Sequence, residues 1–157
     1  MRQNATETGR VNIRAAGVCI VDGHVLLQSE DQIDFWVLPG GRPLLLESSD
    51  AALRREMLEE IDAAVEVGRL LWTVENFFEY EGQPFHELCF YYEMNLPDGH
   101  SFTAVGAELI GAEGDRPLLY RWFPLAALDR VCIYPTFLAS ALTGLPPSIA
   151  HVVHWDG

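Results

Sequence analysis

The chain has 157 residues, 49% of them hydrophobic and 21% charged, proportions that fit one globular domain with an apolar core. They exclude a disordered chain, a collagen and a disulfide scaffold. Ten Lys and Arg stand against 23 Asp and Glu, a net charge of −13 with no basic tract, so a long nucleic acid is not the expected partner.

Met1 to Arg10 is polar, reads as a flexible start and lacks the apolar core of a signal peptide. Val11 to Val21 is β-branched and apolar, and Asp22-Gly23 predicts a hairpin turn into Val25-Leu26-Leu27. Phe35 to Leu38 predicts a short strand stopped by Pro39-Gly40-Gly41. Ser48 or Ser49 caps a helix running to about Ile61, with Asp50 in its first turn. Two aromatic-rich strands follow, Val65 to Tyr80 and Phe85 to Leu96, joined by a turn at Glu81-Gly82-Gln83-Pro84. Pro97 to Pro117 reads as one long loop, Leu118 to Phe123 as a strand, and Leu125 to Asp129 as a short helix. Pro135 opens a last helix through Leu142, and Ile149 to Trp155 is a terminal strand or tail. The pattern predicts α/β (α+β) architecture, a mixed sheet covered by helices on both faces, in a single domain over residues 1–157. Cys19, Cys89 and Cys132 each sit in apolar runs, without zinc or CxxC spacing, and read as buried thiols of a reducing cytoplasm. No stretch approaches the ~20 apolar residues of a membrane span.

Chemistry concentrates on Glu56, Glu59 and Glu60. Their i, i+3, i+4 spacing places three carboxylates on one side of the helix, bordering the apolar stripe of Leu53, Met57 and Ile61. They crowd its last two turns, where the helix dipole disfavours negative charge. A solvated acidic face is the plain alternative, but a bound hard cation, Mg²⁺ or Mn²⁺, relieves both costs.

From Gly41 to Ala63 the sequence resembles the Nudix box, G-x5-E-x7-R-E-U-x-E-E-x-G-U, where U is a bulky aliphatic residue. Gly41, Glu47, Arg55, Glu56, Glu59 and Glu60 fall at the required spacing, with Met57 at the first U. Six such positions match by chance on the order of 10⁻⁷ per start. Asp62 stands where the box has Gly, and Ala63 where it has a large aliphatic. The resemblance implies a Nudix α/β/α sandwich with a mixed sheet, and hydrolysis of a nucleoside diphosphate linked to another moiety. It further implies that Glu56, Glu59, Glu60 and the Gly40 carbonyl hold Mg²⁺, while Glu47 and Arg55 pair to fix the loop against the helix. The activated water loses its proton to Glu56 or Glu60, a choice the resemblance leaves open.

Outside the box, Arg14 is a candidate phosphate ligand, and Glu87, a carboxylate in an aromatic strand, a candidate for metal or substrate. Tyr80, Glu113 and Glu108 are further candidates, Tyr80 because diadenosine-polyphosphate hydrolases of the family carry a Tyr nearby. Among Trp72, Phe77, Phe78, Tyr80, Phe90 and Tyr92, one or two rings are expected to stack on a base, the rest to fill the core. His86, His151 and His154 show no ligand spacing with the acids. The expected partner is a small nucleotide-like diphosphate, with no membrane, and a homodimer is compatible with this reading. Two other readings stand beside the enzyme: a non-catalytic Nudix-fold module that senses a nucleotide, and a prenyl-diphosphate isomerase, which would need Cys89 as a reactive thiol.

Overall fold

The computed structural model describes residues 9–30, 34–100, 105 and 108–157. The expected flexible start lies outside the described residues up to residue 8, but Arg10 already opens the first strand, β1 (Arg10–Val18). Asp22 and Gly23 both take positive φ, 48° and 72°, and turn β2 (Ile20–Val21) into β3 (His24–Glu30) as the Asp-Gly pair predicts. After β4 (Gly40–Gly41) comes α1 (Ser49–Ile61). Then follow β5 (Glu66–Tyr80) and β6 (Gln83–Asn95), turned by Glu81 and Gly82 at φ 51° and 74°. β7 (Leu109–Glu113) and β8 (Arg116–Pro124) lead into a 3-10 turn at Leu125–Arg130, then α2 (Leu138–Ala141) and β9 (Ala150–Asp156).

The strands form two sheets rather than the one predicted: a mixed five-stranded sheet, β4-β1-β6-β5-β9, and an antiparallel four-stranded sheet, β2-β3-β8-β7. Helix α1 buries Ala52, Leu53, Met57 and Ile61 against Ala15 of β1, Met94 of β6 and Leu26, Leu118, Tyr120 and Trp122 of the smaller sheet. A second core lies on the opposite face of the five-stranded sheet. There Trp72, Val74, Cys89 and Tyr91 pack with Leu128, Ile133, Leu138 and Leu142 of the C-terminal helical turns. Helical layers thus flank the sheets on both sides, and the fold class expected from the sequence stands.

Four local expectations are corrected. Phe35 to Leu38 makes only isolated bridges, Gln28 with Val37 and Trp36 with Ile133, because Pro39 lacks the N–H that would continue a ladder. The loop from Pro97 to Pro117, of which residues 101–104 and 106–107 lie outside the described residues, contains β7. Gly111 interrupts the apolar alternation of that strand, since a Cβ there would come within 2.7 Å of the Glu60 carbonyl and 2.8 Å of the Tyr120 ring. The helix expected from Pro135 is reduced to Leu138–Ala141. Cys132 is exposed, whereas Cys19 and Cys89 are buried. No helix among the described residues is long and apolar enough to cross a membrane.

Candidate active site

Helix α1 begins after Ser48, in extended conformation (φ −70°, ψ 154°), and ends where Asp62 enters the left-handed region (φ 51°, ψ 41°). There the Asp62 N–H donates to the Leu58 carbonyl at 3.1 Å and the Ala63 N–H to that of Met57 at 3.3 Å. Asp thus occupies the backbone geometry for which the box uses Gly.

The loop before the helix is tied to it by Arg55. Its Nε donates to Glu47 Oε2 at 2.8 Å and its Nη2 to Glu47 Oε1 at 3.0 Å, a two-pronged pair, while Nη2 also reaches the Arg42 carbonyl at 3.1 Å. Glu47 Oε1 in turn accepts from the Leu44 N–H at 3.1 Å. The remaining Arg55 nitrogen, Nη1, lies 3.1 Å from both Glu56 and Glu59. These hydrogen bonds, with Glu47 first, hold the Arg55 guanidinium above its ordinary pKa.

The three helix carboxylates meet different environments. Glu59 keeps 60% of its side chain exposed and turns to Arg55. Glu60 is buried, and its Oε2 accepts from the Tyr120 hydroxyl at 2.7 Å. Burial and the adjacent Glu56 carboxyl push Glu60 up to about 8, against the downward pull of Tyr120 and Arg14. Glu56 lies against Gly41, where a Cβ would run into its Cδ. The two carboxyls act on each other, both are hard oxygen donors and Glu60 is out of water, a pair that a divalent cation fits. Among the described residues no group of three or more His, Cys, Asp or Glu is gathered for a metal ion.

Gly40, Gly41 and Arg42 border a cleft of about 1010 Å³ lined from both sheets. Arg14, Glu87, Tyr80 and Glu113 all line it. Arg14 is half-buried and donates through Nη2 to the Leu38 carbonyl at 2.9 Å. Glu87 accepts from Asn12 Nδ2 at 2.7 Å. Glu108 is not among the lining residues and pairs with Arg121 at 3.0 Å. Of the aromatic residues named from the sequence, Phe78 and Tyr80 reach the cleft, Trp72 is buried, and Phe77 stacks on Trp155 at 4.0 Å. His86 stacks on Phe77, while His151 lies 3.0 Å from Glu75 and His154 lies 2.9 Å from Asp156. Burial pushes the Cys89 thiol up, the opposite of what an isomerase would need.

Sequence reasoning missed Phe35, Phe85, Tyr134, Gln28 and Asn76 in the cleft, and Tyr120 behind Glu60. For Gln28 and Asn76 a signal existed, a polar residue inside an apolar strand, the same that singled out Glu87. For Tyr120, 60 residues from its partner, none did.

A family model described as NUDIX domain matches residues 11–139. No curated protein matches the sequence. Among solved structures, a UDP-X diphosphatase aligns with TM-score 0.54 at 18% identity, over 79% of this chain and 56% of its own, so this chain spans little more than half of that protein. An ADP-ribose pyrophosphatase from Streptococcus suis 89-1591 aligns with TM-score 0.59 at 14% identity, over 91% of this chain and 98% of its own. A MutT NUDIX hydrolase from Burkholderia pseudomallei aligns with TM-score 0.51 at 24% identity, over 74% and 85%. Likeness at such identities concerns the fold.

Proposed function

The chain belongs to the NUDIX domain family, a family of pyrophosphohydrolases, and from that premise we propose that it hydrolyses the pyrophosphate bond of a nucleoside diphosphate linked to another moiety, with Mg²⁺ or Mn²⁺ as cofactor. The observation that carries this reading is the adjacent Glu56 and Glu60 carboxyls, with Glu56 packed against Gly41, a residue of the cleft. The aligned structures, a UDP-X diphosphatase and an ADP-ribose pyrophosphatase among them, agree with it.

In this reading Glu56 and Glu60 hold the cation, with Glu59 and the Gly40 carbonyl as further donors. The cation, when bound, supplies charge at the phosphate oxygens and lowers the pKa of an attacking water. The protein residues do the rest. Arg55 and Glu47 fix the loop carrying Gly40 and Gly41 against the helix. Tyr120 holds the Glu60 carboxyl in one orientation by donating to Oε2. Arg14, half-buried and lining the cleft, meets a phosphate oxygen, and Glu56 or Glu60 accepts the proton of the water. The sensing-module alternative has no observation in its favour, since every box carboxylate is present.

A panel of nucleoside diphosphate sugars, dinucleotides and nucleoside triphosphates, incubated with Mg²⁺ and scored for released phosphate after phosphatase treatment, tests the reading. Hydrolysis of at least one is expected, with turnover falling by roughly 10² or more in Glu56→Gln and in Glu60→Gln. Wild-type turnover in both variants, or in excess chelator, would overturn it.

A further inference from the structure

Among the described residues, the cleft contains a polar group without a hydrogen-bond partner. Asn76, on β5, is 4% exposed, yet its Oδ1 has no hydrogen-bond partner among the described residues, although the residue lines the cleft. Folds rarely retain a buried amide in this state without a use for it. Its neighbours across the sheet do not relieve it: Glu87 stands opposite on β6 and His154 opposite on β9, and both side chains are engaged elsewhere, with Asn12 and with Asp156 and Thr136.

Aromatic rings surround this end of the cleft. Phe78, two residues along β5 and therefore on the same face, stacks on Phe85 with centroids 5.1 Å apart. Tyr80 meets Phe85 edge-on at 6.2 Å and Phe35 at 6.3 Å, and Phe35 meets Tyr134 at 5.4 Å. Such walls take a flat ring. Glu79, Glu87 and Asp156 also line the cleft and are acceptors when ionised, so they favour a ligand that carries hydrogen-bond donors. A second orphaned oxygen among the described cleft residues, Gln28 Oε1, lies on β3 of the other sheet.

We propose that Asn76 is a specificity-determining residue, whose Oδ1 accepts a hydrogen bond from the exocyclic amino group of a nucleobase held among these rings. The substrate class is then a nucleotide with an amino-bearing base. The inference rests on the hydrolase reading above, which places a nucleotide in this cleft, and it deepens that reading.

Nucleosides test the contact without phosphate or metal. Adenosine is compared with inosine, and cytidine with uridine, by calorimetric titration in excess chelator. The amino-bearing member of at least one pair is expected to bind about tenfold tighter. Asn76→Leu, similar in volume but without an acceptor, is expected to abolish the preference, while Asn76→Asp, which keeps an acceptor oxygen, retains it. Asn76→Leu is also expected to melt no lower than wild type, because it removes an unpaired polar atom from the interior. Equal affinities within both pairs, or no binding of any of the four, overturn the proposal. So does an Asn76→Leu variant that loses stability and leaves the preference intact, as a merely structural amide would. Hydrolysis is scored separately: turnover without amino preference sinks this inference alone, and amino-selective binding without hydrolysis of any diphosphate sinks the hydrolase reading.

Discussion

At Gly41 a single hydrogen is all the space allows. A Cβ there would run into Glu56 Cδ and come within 2.6 Å of Cγ and Oε1, so Gly41→Ala must displace the carboxyl that the site depends on. The expected result is a fall in turnover of roughly 10², the scale for misplacing a reacting group by about an ångström, in a protein that still folds. Steady-state kinetics with circular dichroism on the variant check it. Asp62 presents the reverse case, a side chain where the backbone wants none. At φ 51° its Cβ is strained, and its charge sits at the negative end of the helix. Asp62→Gly is expected to stabilise the protein by up to about 1 kcal/mol, less the entropy that glycine adds to the unfolded chain. Asp62 is exposed and lies beyond the last box carboxylate, so turnover should stay unchanged. Paired melts and rate measurements decide the matter.

Helix α1 shows how much one element can announce of itself. Its bounds, its first-turn acid and its apolar stripe were all legible, because helical period is a local property of sequence, although the expected Ser48 cap makes no side-chain hydrogen bond. What the period did not reveal was how differently three carboxylates on one side of a helix fare. Burial of Glu60 depends on Tyr120 and on the close approach of Gly111, both distant in sequence. Strand β7 stayed hidden for the same reason: the glycine that lets it reach the helix breaks its alternation. The Arg55–Glu47 pair was legible as a pair, and its two-pronged geometry makes it sensitive to the planar guanidinium. Arg55→Lys is therefore expected to lower turnover roughly 10- to 100-fold at saturating Mg²⁺, measured alongside a melt to confirm folding. At the start of the helix, Ser48 and Arg54 hydrogen bonds hold the Asp50 carboxyl down at about 2. A depressed carboxylate stabilises the native state above its unfolded pKa, near 4, and that contribution is lost as pH falls through about 2. Asp50→Asn should thus melt below wild type at pH 7, with the gap narrowing from pH 4 downward in a series of thermal melts.

Across the whole molecule, composition and element order gave the α/β class but not the division of strands between two sheets. That division depends on which edges pair, a matter of long-range register that alternation alone does not encode. The cleft between those sheets inherits the difficulty. Arg14, Tyr80, Glu87 and Glu113 were reached from the sequence, while Phe35, Asn76 and Tyr134 come together only in the fold. The excess of acid is global too. With a net charge of −13 and the Glu56 and Glu60 carboxyls adjacent on one helix, the chelated protein carries repulsion that a divalent cation would relieve. Mg²⁺ at about a hundred times its dissociation constant is expected to stabilise the wild type by about 2.7 kcal/mol, and Glu60→Gln by much less. Calorimetric melts with Mg²⁺ and with chelator measure the difference, and an equal rise in both proteins would count against Glu60 as a ligand.

The hydroxyl that orients Glu60 arrives 60 residues later in the chain, on the strand β8. A fragment ending before Tyr120 would carry the complete box but not the hydroxyl that donates to Glu60. During synthesis, then, the box is translated well before it can become a site, and competence is conferred on the helix only when β8 emerges and closes over it.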